Sequence, residues 1–136
     1  LSLWASISSI ASRFPSNETL NKWKEDGIRY VENSRTKQSL PQYFSLFQDF
    51  QENNKRLDIE VAARSLECAV SVFHGKQDKS VDLSEGESLA KWLNVDLFIL
   101  ENADHVFGAK HPWKEKQLPI ALKKLCAETC LFLTKN

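Results

Sequence analysis

The sequence predicts an α/β fold built around a parallel sheet, and the order of its apolar segments is the main reason. Residues 68–73 and 95–100 are short stretches of apolar and small residues with the length of buried strands. A helical apolar pattern lies between them, and another follows over about residues 115–133. This alternation favours parallel strands joined by right-handed crossovers. Residues 1–5 form a third segment of strand type, so we expect about three parallel strands with flanking helices.

The helix between the two later strands has a recognisable start. Asp82-Leu83-Ser84-Glu85 resembles a capping box, with Asp in place of Ser or Thr. The sequence therefore predicts a helix that opens at Asp82 and packs on the sheet. Its predicted apolar face consists of Leu83, Gly86, Leu89, Ala90 and Leu93.

Residues 6–66 have a different character, because they are polar, rich in aromatic side chains and interrupted by turns. Pro15-Ser16-Asn17-Glu18 predicts a helix start, Gly27 its end, and residues 28–33 a short extended piece. Ser39-Leu40-Pro41-Gln42 has the form of a capping box with Pro at an early helical position. We expect a second helix there, and a third over residues 58–66. The aromatic stripe of the second helix would be Tyr43, Phe44, Phe47 and Phe50.

Charge and cysteine usage limit the class of protein. Lys and Arg number 18, as do Asp and Glu, so nothing favours nucleic acid or an anionic membrane as partner. No apolar run approaches the roughly 18 residues of a membrane span. Cys68, Cys126 and Cys130 form no CxxC pair, which favours free buried thiols in a reducing compartment, the cytoplasm. Cys126 and Cys130 could share a metal ion, but small packing residues are the more typical role.

Two loops carry the candidate chemistry, and each follows a predicted strand. The first, residues 74–81, contains Asp78 and is here called the acid loop. The second, residues 101–108, contains His105 and is here called the histidine loop. Asp78 and His105 lie 27 residues apart, with one helix and one strand between them. Because adjacent parallel strands lie only about 4.8 Å apart, one crossover brings these two side chains together.

An Asp–His pair is what a serine nucleophile requires. A histidine accepts the hydroxyl proton, while a carboxylate holds the imidazole in one tautomer and stabilises the imidazolium. A zinc site is the alternative chemistry, since imidazole and carboxylate suit zinc. The residues available to it would be His74, Asp78, His105 and His111. Their spacing matches no standard zinc motif, so we expect neither a metal nor a cofactor.

The residues around this pair resemble a known family. A strand followed by His74-Gly75-x-x-Asp78-x-x-Val81, and then Ala103-Asp104-His105-x-Phe107, is similar to the end of the α/β-hydrolases. The resemblance implies that Asp78 is the acid of a catalytic triad and His105 its base. It also implies hydrolysis of a carboxylic ester, less readily of an amide, through an acyl-serine. The substrate would be a small-molecule ester or acyl compound.

The same resemblance implies how the chain is organised. Residues 1–5 would be a sheet strand, residues 6–66 a helical lid with its connecting helix, and residues 67–136 the core that carries the acid and histidine loops. The family's nucleophile lies in G-x-S-x-G, but no two of the four glycines here are four positions apart. We therefore expect the C-terminal half of a serine hydrolase, inactive alone, whose missing N-terminal half supplies the serine. The strand at residues 1–5 would expose an edge, through which a homo-oligomer could form.

Two rival functions fit the same fold. One is a non-catalytic α/β-hydrolase-like domain that binds a small ligand or a partner under the lid, and the other is a lyase or a cofactor-free oxygenase. The presence of both Asp78 and His105 favours the hydrolase. The aromatic residues of the lid, such as Trp23 and Phe47, could line an acyl pocket, but packing is the more typical role of a stripe at helical spacing.

Overall fold

The computed structural model of the chain describes residues 1–33 and 36–135. The chain divides into two compact units. The first, here called the sheet unit, contains Leu1–Ser8 and the chain from Ile59 onward. The second, here called the insert unit, is Ser9–Asp58. The expected lid segment, residues 6–66, thus extends at both ends into the sheet unit.

The helices and strands follow the chain in this order. The strands are β1 (Ser2–Trp4), β2 (Ile28–Glu32), β3 (Ser39–Tyr43), β4 (Ser71–Gly75) and β5 (Leu97–Leu100). The α-helices are α1 (Asn17–Asp26), α2 (Ser45–Glu52), α3 (Ile59–Arg64), α4 (Leu83–Leu93) and α5 (Ile120–Lys135). A short 3-10 turn spans Ala11–Arg13.

The sheet unit contains a parallel sheet in the order β1-β4-β5, with α3, α4 and α5 beside it. Leu3 lies opposite Val72, and Phe73 lies opposite Phe98. Successive side chains of β4 point to opposite faces, as in any strand. Val72 packs with Leu89 of α4, whereas Phe73 packs with the cluster around Leu125 of α5. The predicted α/β class, with three parallel strands and flanking helices, is confirmed for the residues that the structure describes.

Helix α4 begins where the sequence predicts. The Asp82 carboxylate accepts a hydrogen bond from the Ser84 backbone N–H at 2.9 Å, which satisfies one of the free donors at the helix start. Gly86, Leu89 and Ala90 are buried, as expected for the predicted face. This cap fixes where the loop that carries Asp78 must end.

The insert unit is not purely helical. The second predicted helix is present as α2 and carries Phe47 and Phe50, but the start predicted for it at Ser39-Leu40-Pro41-Gln42 is wrong. These residues belong to β3, which pairs antiparallel with β2. The Phe44 N–H donates to the Gly27 carbonyl and the Asn33 N–H to the Gln38 carbonyl, which marks alternate positions as hydrogen-bonded. Pro41 falls between them, where its missing N–H costs no ladder bond. Pairing with β2 therefore overrides the local capping pattern.

Aromatic side chains form the core of the insert unit. Trp23 is 1% exposed, and its indole N–H donates to the Gln42 carbonyl at 2.9 Å. The Arg29 guanidinium lies 4.1 Å from the centre of the Trp23 ring. Rings of Phe14, Phe44 and Phe47 surround Trp23, and Phe50 packs on Phe14 and Phe47. The packing role expected for these side chains is thus the observed one within this unit, except that Tyr43 is exposed.

The three cysteines are free thiols, but the expected burial is wrong for two of them. Cys68 and Cys130 are exposed, and Cys126 is half-buried. Cys68 is exposed because β4 begins at Ser71, three residues later than the sequence indicates. Across the described ranges, no helix has both the length and the apolar character needed to cross a membrane.

Candidate active site

The candidate site lies where β4 and β5 end, and backbone hydrogen bonds join the two loops that leave these strands. The Lys76 N–H donates to the Leu100 carbonyl at 3.0 Å, and the Gln77 N–H donates to the Ala103 carbonyl at 2.9 Å. Gly75, expected in the loop, is the last residue of β4, and His74 also belongs to the strand. The acid loop therefore begins at Lys76, and its backbone is fixed against the histidine loop.

Gly75 allows the two loops to come this close. A Cβ atom at this position would contact the Ala103 carbonyl oxygen and lie 2.7 Å from the Asp104 carbonyl oxygen. Both obstacles are backbone atoms, which cannot rotate away as a flexible side chain could. A glycine is thus required by close approach at the point where the acid loop meets the histidine loop.

Each oxygen of the Asp78 carboxylate has its own partners. Oδ1 accepts hydrogen bonds from the backbone N–H groups of Ser80 at 2.8 Å and Val81 at 2.9 Å. Oδ2 lies 2.9 Å from Nδ1 of His105. The side chain is completely buried. Two backbone donors therefore fix the orientation in which the carboxylate faces His105.

The pKa of Asp78 reflects two opposing effects. Burial raises the pKa of this carboxyl, because it penalises the charged form. The hydrogen bonds from Val81, His105 and Ser80, together with the charge of the His105 ring, lower it by more. The net result is a pKa below the usual value for aspartate, so Asp78 is a carboxylate at neutral pH.

The two ring nitrogens of His105 differ, because Nδ1 is hydrogen-bonded to Asp78 while Nε2 is accessible. Because Asp78 is ionised, Nδ1 carries the proton and donates it to Oδ2. The side chain is 42% exposed, and among the described residues Nε2 has no hydrogen-bond partner. The preceding Asp104 caps the loop by accepting hydrogen bonds from the N–H groups of Val106 and Gly108. The ring is thus fixed in the tautomer whose Nε2 can accept a proton.

The other two histidines occupy different settings. His74 is completely buried, and its Nε2 lies 3.0 Å from the Val81 carbonyl, so its ring supports the turn that follows β4. His111 is exposed. The described part of the chain contains no group of three or more His, Cys, Asp or Glu side chains arranged to hold a metal ion.

Sequence patterns indicated Asp78 and His105 as candidate site residues but gave no role to Gly86, which packs against His74. The Val81 carbonyl and Gly86 of α4 both contact the His74 ring. The signal that could have indicated Gly86 is a glycine on the buried face of a helix, where it lowers helix stability unless a neighbour needs the space.

Comparisons with known proteins identify no family for this chain. No protein-family model matches it, and no curated protein matches it in sequence. A solved structure that it resembles is the esterase domain from a Rhodothermus marinus protein, with 13% sequence identity and a TM-score of 0.47. The similarity covers 79% of this chain and 42% of that one. The chain therefore spans less than half the length of the solved esterase chain.

Proposed function

We propose that this chain is the acid–base portion of a serine hydrolase of the α/β-hydrolase type, and that the parent reaction is hydrolysis of a carboxylic ester. The observation that carries the proposal is the hydrogen bond between His105 Nδ1 and Asp78 Oδ2, 2.9 Å long. It leaves Nε2 of His105 accessible at the carboxyl end of a parallel sheet, which is where sites form in such sheets.

The chemistry assigned to the pair follows from this geometry. Nε2 of His105 takes the proton from a serine hydroxyl as its oxygen bonds to the ester carbonyl carbon. The imidazolium then returns that proton to the leaving alcohol, and an acyl-serine remains. In the second half, Nε2 takes a proton from water, whose oxygen attacks the acyl carbon, and the proton goes back to the serine. Asp78 stays ionised throughout and stabilises the imidazolium.

The serine and the oxyanion donors come from residues outside this chain in our proposal. The four glycines stand at positions 27, 75, 86 and 108, so G-x-S-x-G does not occur. A nucleophile-bearing segment of the same protein is the partner that the site requires. This chain by itself is expected to bind no acyl group covalently and to hydrolyse no ester.

The deciding experiment uses the complete coding sequence that contains this chain. The protein would be treated with a fluorophosphonate probe and with p-nitrophenyl esters of increasing acyl length, beside a His105→Ala variant. The matched control is His111→Ala, because His111 is exposed. We expect labelling of one serine and ester turnover in the wild type and in the control, with both lost in His105→Ala.

A folded wild-type protein that neither reacts with the probe nor hydrolyses any ester would overturn the proposal. That outcome would favour the alternative function, binding of a small ligand or a partner without catalysis, since the fold alone does not require catalysis. Turnover that survives His105→Ala would also contradict it, because the base would then lie elsewhere.

A further inference from the structure

His74 is a buried polar residue that the triad chemistry does not use. It lies in β4 and is completely buried. Its side chain points to the same face as Val72, the face covered by α4, because alternate residues of a strand share a face. Burying a polar side chain costs free energy unless its polar atoms form hydrogen bonds, so the contacts of this ring need an explanation.

The surroundings of the ring fix where its proton lies. Nε2 is 3.0 Å from the Val81 carbonyl, which can only accept. Nδ1 is buried, and among the described residues it has no hydrogen-bond partner. A proton on Nδ1 would have no acceptor, so the ring carries its proton on Nε2 and donates it to Val81.

The same ring nitrogen also lies close to the proposed catalytic acid. Nε2 of His74 lies 3.5 Å from Oδ2 of Asp78, the oxygen that accepts from His105. The other titratable side chain whose charge reaches this ring is Asp82, the cap of α4. Nε2 of His74 therefore bonds the backbone of the acid loop and lies close to the Asp78 carboxylate.

Gly86 provides the space for this arrangement. A Cβ atom at position 86 would lie 2.6 Å from Nδ1 and 3.3 Å from Cβ of His74. Any side chain there would push the ring out of its place between α4 and the acid loop. The helix carries a glycine where alanine would favour it, which indicates that the ring position matters more than helix propensity.

We propose that His74 is a positioning residue for the catalytic acid. Its Nε2–H holds the carbonyl of Val81, whose own N–H donates to Asp78 Oδ1, and this keeps the carboxylate in the orientation that His105 requires. The inference rests on the proposed function for its catalytic meaning. The effect of His74 on the Asp78 carboxylate can be tested on this chain without measuring ester hydrolysis.

The test compares near-isosteric replacements of the ring. In His74→Gln the amide nitrogen stands the same number of bonds from Cβ as Nε2 does, so a neutral donor is kept. In His74→Met a side chain of similar length offers no donor. The measurement is the pKa of Asp78, followed through the carboxyl carbon by NMR on ¹³C-labelled chain. Helix content and the amide spectrum verify that each variant folds.

We expect the pKa of Asp78 to stay near the wild-type value in His74→Gln and to rise by about one pH unit in His74→Met. The rise follows because a loosened loop weakens the hydrogen bonds that hold the ionised form. Gly86→Ala keeps the imidazole but displaces it, so it should raise the pKa in the same direction. Glu87→Ala is the control on the same helix, since Glu87 is exposed.

An unchanged Asp78 pKa in folded His74→Met would overturn the proposal, and so would equal rises in the Gln and Met variants, because His74 would then be a packing residue. If the Met variant fails to fold, Gly86→Ala decides: an Asp78 pKa equal to that of Glu87→Ala rejects the positioning role. None of these results depends on ester hydrolysis, so a failure of the proposed function stays distinguishable.

Discussion

Nδ1 of His105 and Oδ2 of Asp78 lie 2.9 Å apart although 27 residues of chain separate them. One crossover through α4 and β5 accounts for this proximity, because β4 and β5 are parallel neighbours whose loops leave from the same edge. Gly75 and the backbone hydrogen bonds of Lys76 and Gln77 then bring the two loops into contact. The relationship can be tested at several levels.

Replacing Asp78 by Asn should lower the kcat of the complete protein about 10³- to 10⁴-fold. The amide keeps an oxygen but can offer an N–H to Nδ1, which favours the wrong tautomer of His105. The KM should change little, since the Asp78 side chain is completely buried and exposes no surface to a substrate. Steady-state kinetics on a p-nitrophenyl ester make the measurement. Asp96→Asn is the control, because Asp96 is exposed and precedes β5, whereas His105 follows that strand. An equal loss of kcat in Asp96→Asn would contradict the role proposed for Asp78.

Asp78 should make the stability of the chain depend on pH in one direction. Its pKa is lower in the folded chain than in the unfolded chain, so the ionised carboxylate stabilises the fold above the unfolded value of about 4. This contribution is lost as the pH falls from about 4 through the lowered pKa. Urea unfolding of the wild type and Asp78→Asn should therefore differ most near pH 6, with the gap closing in acid. If the difference in unfolding free energy between the two proteins grew as the pH fell, the pKa of Asp78 would be raised by folding and the prediction would be wrong.

Gly75→Ala should destabilise the sheet unit by about 3 kcal/mol, because the added methyl group meets two backbone carbonyl oxygens. Gly27→Ala offers the matched comparison. Gly27 has a φ of +69° but open space around it, so alanine there suffers backbone strain alone, about 1 kcal/mol. Chemical denaturation gives both values. Equal costs at the two positions would mean that the loops can move apart without penalty.

The outer edge of β1 should support self-association. The Leu1 carbonyl and the Ala5 N–H bond to β4, so by alternation the N–H groups of Ser2 and Trp4 point away from it. Among the described strands, β1 lies at the edge of its sheet. Ser2→Pro removes one outward N–H donor without breaking a backbone bond to β4, although it loses the hydroxyl bond to Ser71. It should weaken association about tenfold, measured by analytical ultracentrifugation. Ser2→Ala loses the same hydroxyl but keeps the N–H, and should associate like the wild type.

Much of the sheet unit could be predicted from local patterns. Asp82 and the apolar face behind it indicated α4, and the short apolar segments indicated β4 and β5. The meeting of Asp78 and His105 followed from topology alone, because parallel neighbours bring their carboxyl ends together. Strand ends were harder to predict, since residues 68–70 are apolar enough for a strand but the strand pairing begins at Ser71.

The insert unit shows why local patterns fail. Ser39 and Pro41 fit a helix start as well as any sequence could, yet these residues pair with Tyr30 and its neighbours. The choice between helix and strand depends on pairing with β2, which lies outside the four residues of the capping pattern. The role of Gly86 was equally hidden, because the ring that needs the space belongs to His74, on another element.

The backbone bonds from Lys76 and Gln77 have a consequence for engineering. They join the two loops that carry Asp78 and His105, so the pair that we propose as acid and base is assembled before any nucleophile arrives. A serine-bearing segment produced separately would meet a finished half-site rather than having to shape one. The ester hydrolysis that we propose would then depend only on whether the two polypeptides associate. That dependence is the requirement for a split reporter of protein proximity.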